Sequence, residues 1–213
     1  KWWIRCNIKY MKIKFLRILC IGIGFCLWTA CQKEPQGPSP AQNIKTVLVD
    51  GRNFDRWIYF SFQKGDTVQI SNPQTDLRWD IAFHRWDVKT NGGLSGVGKG
   101  EAKMTKFTDF NISMALPLES EWVKDTFLLT YMHRPIMSDS APAEQRSWVP
   151  ANKELGKWLL VNMSIIPPVY TMAKNIYWVR SAGGKMVQLR FDAYMNERAE
   201  KGYVKFSYWI LEN

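Results

Sequence analysis

The stretch GGLSGVGKGEA at positions 92–102 comes close to a nucleotide-binding motif in residue type and spacing. From Gly93 to Lys99 the order is G-x-x-x-x-G-K, but Gly100 stands where a phosphate-binding loop has a Ser or Thr that holds magnesium. Such a loop also opens a helix, and the residues after Gly100 have no sustained helical apolar face. We therefore predict that these glycines permit positive φ angles and close backbone packing between strands.

The other reactive side chains do not form a catalytic set. The sequence has two histidines, His84 and His133, which are not spaced as a zinc-binding pair, and it has no G-x-S-x-G nucleophile elbow. His133 and Asp139 are close in sequence, but no serine spacing supports a triad. We therefore predict a protein that is not an enzyme.

The N-terminal region has the layout of an export signal. Residues 11–17 are basic, and the apolar run over residues 18–27 is too short to cross a bilayer as a helix. Thr29 and Ala30 are small residues directly before Cys31, an order that resembles the cleavage site of bacterial lipoproteins. We expect residues 1–30, which comprise residues upstream of a start at Met11 and the signal peptide, to be removed, and Cys31 to carry a lipid.

Removal of this segment changes the composition. The whole sequence has a formal charge of +10 at pH 7, but residues 1–30 contain six Lys and Arg and no Asp or Glu. Residues 31–213 keep 23 basic and 19 acidic side chains, a formal charge of +4, which gives no support for nucleic-acid binding. Cys31 is the one cysteine left, so neither a disulfide within the chain nor a cysteine-based metal site is expected.

The rest of the sequence predicts a tether and an all-β domain. Residues 31–43 are polar with three prolines, which is typical of a flexible linker. Residues 44–213 consist of short segments rich in β-branched and aromatic residues, separated by turn signals such as residues 182–184. In the segment 203–211, Val204, Phe206 and Tyr208 recur with a period of two. Only residues 194–201 predict a short helical turn, so we expect a single antiparallel β domain of many short strands.

One long stretch carries a family resemblance. WDIAFHRWDVKTNGGLSGVGKG (79–100) resembles the central signature of the HmuY family of haem-binding lipoproteins, and the segments 57–66 and 156–185 agree with the same family in order. The resemblance covers nearly all of residues 44–213. It implies an all-β lipoprotein, anchored in the outer membrane and exposed at the cell surface. Such a haemophore captures haem for iron acquisition and passes it to an outer-membrane receptor.

The resemblance also implies positions for the two axial ligands of the haem iron. The family's second ligand follows a Trp by five residues, a count that starts at Trp158 and ends at Met163. Its first ligand falls in a loop matched by residues 131–142, where the candidates are Met137, His133 and Met132, in that order. The family type member uses two histidines, whereas Met137 with Met163 is the pair expected here. Cofactor binding is thus assigned to Met137, Met163 and His133.

Two other interpretations follow from the same residues. His84 lies inside the signature at a position that is not a ligand in the family, and we expect it to be a structural residue satisfied by a hydrogen bond. Because the histidine pair is missing, the alternative function is a surface lipoprotein of the same fold that binds a protein or glycan partner and has lost haem binding.

Overall fold

Thirteen short strands and two 3-10 helices make up the regular structure in the computed structural model of the chain, which describes residues 43–130, 147–162 and 164–211. The strands are β1 (Lys45–Asp50), β2 (Ile58–Ser61), β3 (Asp66–Val68), β4 (Ile81–His84), β5 (Asp87–Thr90), β6 (Glu101–Met104), β7 (Thr126–Thr130), β8 (Ser147–Ala151), β9 (Leu159–Asn162), β10 (Val169–Met172), β11 (Ile176–Arg180), β12 (Met186–Met195) and β13 (Lys201–Ile210). The 3-10 helices are Glu119–Glu121 and Leu155–Trp158. The predicted all-β antiparallel fold is confirmed.

Five strands form the larger sheet, in the order β1-β13-β12-β11-β6, with antiparallel pairing throughout. On β13, Val204, Phe206 and Tyr208 are fully buried, whereas Tyr203 and Lys205 on the other face are not. The period of two that the sequence predicts therefore places one face of β13 in the core.

The smaller sheet packs on that face and closes the main core. Its order is β3-β2-β4-β5. Phe60 of β2 and Phe83 of β4 contact Phe206, with ring centroids 5.1 Å and 5.3 Å apart. Trp158, from the second 3-10 helix, is fully buried in the same core and stacks on Phe191 at 4.5 Å.

A second, smaller cluster covers the opposite face of the larger sheet. Ile176 and Trp178 of β11 alternate with the core residues Tyr177 and Val179, so they face the other way. The loop after β6 covers them with apolar side chains, namely Phe110, Met114 and Trp122.

The turns correct one prediction and confirm another. Residues 196–200 form the turn of the β12–β13 hairpin, so the helical turn predicted for residues 194–201 is wrong. The Asn196 side chain accepts hydrogen bonds from the amides of Arg198 and Glu200, and Ala199 has a φ of 61°. The predicted turn at residues 182–184 does connect β11 to β12.

Two hairpins stand outside these sheets. β7 pairs with β8, and β9 pairs with β10, each as a two-stranded antiparallel sheet. Residues 131–146 join β7 to β8, and residues 163–168 join β9 to β10. All described residues belong to one unit, 35–213, and among them no helix is long and apolar enough to span a membrane.

Candidate functional site

The glycine-rich loop, residues 92–100, connects β5 to β6 and does not open a helix. Its amides donate to protein carbonyls: Leu94 to Asp125 (3.1 Å), Lys99 to Ala182 (3.0 Å) and Gly100 to Asn91 (2.7 Å). A phosphate loop instead presents its amides to the ligand. This loop therefore uses its hydrogen-bonding groups for packing, as predicted.

Close backbone contacts explain why the loop is rich in glycine. A Cβ atom on Gly92 would lie 2.0 Å from the carbonyl oxygen of Gly100, so any side chain there would force the two ends of the loop apart. Gly93 has a φ of 57°, and its Cβ would lie 2.5 Å from the carbonyl oxygen of Asp125. The loop is thus held against the residue that precedes β7.

Asp125 and Asn152 form a polar clamp at the base of the β7–β8 hairpin, one before β7 and the other after β8. The buried Asp125 carboxylate accepts hydrogen bonds from the amide and hydroxyl of Thr90 (2.8 Å and 2.7 Å) and from Asn152 Nδ2 (2.9 Å). The backbone amide of Asn152 donates to the carbonyl of Val88 at 2.9 Å. Burial raises the pKa of Asp125, with the hydrogen bonds opposing the shift. The clamp ties both strands of the hairpin to β5.

Beyond the clamp, the β7–β8 hairpin exposes an apolar face. Phe127 pairs with Pro150 and Leu129 pairs with Trp148, which places these four side chains on one face. Trp148 is 67% exposed, and Phe127 and Leu129 are also exposed. Large exposed apolar patches are common features of interaction sites, so this face is a candidate binding surface. The sequence did not single out these residues, although Phe127 and Leu129 have the spacing of one strand face.

The β9–β10 hairpin has one face on the core and one face exposed. Val161, Tyr170 and Met172 pack against the main core. On the other face, Leu160 is 70% exposed and pairs with Thr171, and the exposed Val169 pairs with Asn162. The exposed apolar surface continues into the loop through Ile165 and Ile166.

An aromatic cluster holds the inner face of this second hairpin. The ring of Tyr170 stacks on Tyr194 of β12, with centroids 5.5 Å apart, and Trp86 contacts both rings. Lys201 Nζ lies 4.4 Å from the centroid of Tyr170. Trp158 Nε1 donates to the carbonyl of Trp86 at 2.8 Å. The base of the β9–β10 hairpin is therefore fixed to the larger sheet.

The predicted axial ligands fall in the two hairpin loops by sequence. Met137, His133 and Met132 belong to the segment that joins β7 to β8, and Met163 directly follows β9; all four lie outside the described residues, as does Cys31. The methionines of the described residues lie elsewhere than in the two hairpin loops. Met104 and Met172 pack on the main core, and Met114 and Met186 belong to or pack on the smaller cluster. Met195 is exposed on β12.

His84 is a structural residue, as predicted. It is fully buried, and its Nε2 donates to the carbonyl of Phe54 at 2.7 Å. Its Nδ1 lies 3.5 Å from a carboxylate oxygen of Asp87, whose pKa is raised by burial. No group of three His, Cys, Asp or Glu side chains within the described ranges is arranged to hold a metal ion.

Lys89 is a buried lysine that the sequence did not single out. Its Nζ lies 4.4 Å from the ring centroid of Trp57, 5.1 Å from that of Tyr59 and 5.6 Å from that of Trp79. Burial lowers the pKa of Lys89 to about 8, with the charge of Asp125 opposing the shift. The three ring faces stabilise the ammonium group and help to retain it in the interior.

Comparison with known families identifies the fold. The family model described as HmuY protein matches residues 53–208. The chain belongs to the HmuY family. A search of curated proteins gave no match.

Solved structures of similar proteins cover most of the HmuY-family domain. A proposed HmuY-like haem-binding protein from Bacteroides vulgatus is 30% identical, with a TM-score of 0.62 over 81% of this chain and 94% of that one. A proposed lipoprotein from Bacteroides fragilis is 27% identical, with a TM-score of 0.62 over 79% and 91%. The apo form of a Tannerella forsythia HmuY analogue, at 23% identity, shares the fold with a TM-score of 0.64 over 80% and 97%.

Proposed function

We propose that this protein is a cell-surface lipoprotein that binds haem through two axial side chains and passes it to an outer-membrane uptake receptor. The observation that supports this most directly is that two hairpins expose apolar faces, and each leads into a loop that carries a predicted ligand. The 30% identical relative from Bacteroides vulgatus, whose proposed function is haem binding, supports the same cofactor.

The exposed residues fit a porphyrin in chemical character. Porphyrin is flat and largely apolar, and Trp148 and Leu160 offer apolar surface that the core does not use. Haem iron accepts axial ligands from His, Met, Cys or Tyr side chains. We assign the iron ligands to Met137 and Met163, with His133 and Met132 as alternatives to Met137. Thioether sulfur favours ferrous over ferric iron relative to imidazole, so this pair suits haem capture under reducing conditions.

The same proposal includes the location of the protein. Acylation of Cys31 would anchor the chain to the outer membrane, with residues 31–43 as a tether and residues 44–213 as the haem-binding domain. The partners are then haem, the membrane and the receptor, with no nucleic acid. We propose a carrier that binds and releases its cargo and catalyses no reaction.

Titration with haemin tests the cofactor. The purified protein is titrated with ferric haemin and then with dithionite-reduced haem, and the visible spectrum is recorded. We expect a saturable Soret shift that is stronger in the reduced state. Absence of a shift and of saturation in both states would overturn haem binding and favour the alternative, a lipoprotein of the same fold that binds a protein or glycan partner.

Substitution of Met163 tests the ligand. Met163→Ala should convert a six-coordinate low-spin ferrous spectrum into a five-coordinate or water-bound one. Met163→His should restore six-coordination and strengthen ferric binding, because imidazole favours ferric iron. Met195→Ala is the matched control, since Met195 is exposed on β12. If both Met163 variants fold and keep the spectrum of the unmodified protein, Met163 is not a ligand.

A further inference from the structure

A pocket of about 800 Å³ opens at one end of the two packed sheets, away from both hairpins. It lies where the turn between β2 and β3, the turn between β11 and β12, and the last residue of β13 meet. Strand β3 at the edge of the smaller sheet has only three residues, so this sheet covers the larger one incompletely here. Pockets of this size bind small molecules in many proteins.

The interior of the pocket is apolar. Phe62 and Val187 border it but are only 1% and 0% exposed, so the partly exposed Ile210, which pairs with Val187 in the register of β12 and β13, is the accessible part of this wall. Val68 and Leu77 extend the apolar lining towards solvent, and Leu77 is 57% exposed. The pocket thus has room and surface for an alkyl chain.

The rim of the pocket is cationic. Lys64 Nζ donates to the carbonyl of Thr67 at 3.1 Å, and Lys185 Nζ donates to Oε1 of Gln63 at 3.2 Å. Neither lysine forms an ion pair with a carboxylate of the described residues at 4.0 Å or less. The third cation, Arg78, is paired with Asp76. Two ammonium groups therefore line the pocket without an ion pair to a carboxylate of this part of the chain.

The acidic residue in the lining, Asp80, feels the charge of Lys185 but forms no ion pair with either rim lysine at 4.0 Å or less. Asp80 is buried, and its two carboxylate oxygens accept hydrogen bonds from the amides of Phe62 (2.7 Å) and Ala182 (2.9 Å). The carboxylate is directed at the backbone of the two turns that border the pocket. Its two hydrogen bonds hold these turns together, and the lysine ammonium groups keep donor capacity for an anion.

We propose that this pocket binds a fatty-acid-type ligand, a single alkyl chain that ends in a carboxylate. The alkyl chain lies against Val68, Leu77 and Ile210, and the carboxylate pairs with Lys64 and Lys185. An apolar lining with a few charged groups at the opening is the usual design of a site for such amphiphiles. A neutral alkyl compound can make the apolar contacts but cannot form the ion pairs with the two lysines.

The pocket is separate from the proposed haem site. On β12, Val187 lines the pocket, whereas Tyr194 contacts the β9–β10 hairpin. A strand rises about 3.3 Å per residue, so these two positions are roughly 20 Å apart. Binding at one site therefore does not require the other, and the two proposals can fail independently.

Filling the pocket is the first test. Purified protein, without detergent, is titrated calorimetrically with decanoate below its critical micelle concentration. Gly183 lines the pocket, and a Cβ atom there would meet nothing within 4 Å, so Gly183→Phe should occupy the opening without disturbing the fold. Gly156→Phe is the matched control, because Gly156 is equally free of neighbours and lies outside the pocket. We expect saturable binding that Gly183→Phe weakens by about tenfold or more and Gly156→Phe leaves unchanged. Equal binding by both variants would overturn the proposal.

Removing the cations is the second test, and it stays informative if Gly183→Phe fails to fold. Lys64→Gln and Lys185→Gln should each weaken decanoate binding by about three- to tenfold and leave binding of 1-decanol unchanged. Lys153→Gln, an exposed lysine elsewhere, should change neither. Equal weakening of decanoate and 1-decanol would overturn the carboxylate assignment. Loss of binding to phosphatidylglycerol vesicles with unchanged decanoate binding would assign the lysines to a membrane surface instead.

Haem provides the last control. Decanoate should bind haem-loaded protein with the same affinity and leave the Soret band unchanged. Displacement of haem by decanoate would place the fatty acid in the haem site and overturn the separate pocket. A protein that binds decanoate but no haem would retain this proposal and refute the proposed function.

Discussion

Replacing Asp125 by alanine should strongly destabilise the protein. The substitution removes the acceptor for the amide and hydroxyl of Thr90 and for Asn152 Nδ2, and all three groups are buried. A buried donor left without a partner costs about 1–3 kcal/mol. The change also removes the negative charge that favours the ammonium form of Lys89. Relief of the carboxylate's own desolvation offsets part of this cost, so we expect a loss of about 3–5 kcal/mol.

Denaturant unfolding followed by tryptophan fluorescence measures this loss as a lower midpoint at unchanged slope. Asp55→Ala is the control, because Asp55 is exposed and its side chain has no hydrogen bond in the described structure; it should change the free energy of unfolding by less than about 0.5 kcal/mol. In a double-mutant cycle, Asp125→Ala and Asn152→Ala should couple by about 0.5–3 kcal/mol.

Hydrogen exchange locates the effect. If the clamp holds the base of the hairpin, amides of β7 and β8 should lose protection in Asp125→Ala before those of β12. A loss of stability below about 1 kcal/mol, or additive effects of the two substitutions, would refute the reasoning that Asp125 and Asn152 act as one unit.

Two further predictions concern Lys89 and Cys31. The folded-state pKa of Lys89, about 8, lies below its value in the unfolded chain, so between pH 8 and about 10.5 the unfolded chain binds more protons and the free energy of unfolding should rise with pH. Denaturant unfolding of the unmodified protein and of Lys89→Met measures this effect, and the free energy of unfolding of the unmodified protein should rise by on the order of 3 kcal/mol relative to that of the variant. If the free energies of the two proteins instead change in parallel with pH, the aromatic rings keep the pKa of Lys89 at its ordinary value. Cys31→Ser should release the protein from membranes or leave the signal uncleaved, and partitioning like the unmodified protein in detergent phase separation would contradict lipidation at Cys31.

Strong local patterns predicted the fold well. The alternation on β13 and the turn at residues 182–184 agree with the structure because each depends on neighbours in sequence. The strands β6 and β8 are short and contain polar residues or proline, so the local pattern gives little strand signal there, and pairing with β11 and with β7 decides their conformation. Residues 194–201 contain helix-forming side chains, but the long β12–β13 pairing overrides that local preference.

The exposed side chains of the hairpins could not be predicted in the same way. Trp and Leu are usually buried, so sequence alone assigns Trp148 and Leu160 to the core. Their exposure follows from topology, because each belongs to a two-stranded sheet that no other sheet of the described residues covers on that face. Only the three-dimensional structure shows which apolar side chains the core leaves out.

The family signature, residues 79–100, supports the fold and does not contain the predicted iron ligands. Within residues 79–100, Trp79 is buried and donates to the carbonyl of Pro73, Asp80 holds two backbone turns together, and Asn91 donates to the carbonyls of Asp76 and Trp79. These contacts stabilise the two sheets, and Thr90 of the same stretch donates hydrogen bonds to Asp125 at the base of the β7–β8 hairpin. The predicted ligands belong instead to the segments that join the hairpin strands. A chain can therefore keep the signature, and with it the fold, while the residue types at the predicted ligand positions differ. The signature is therefore evidence for the architecture, and the spectra of the Met163 variants test the coordination chemistry.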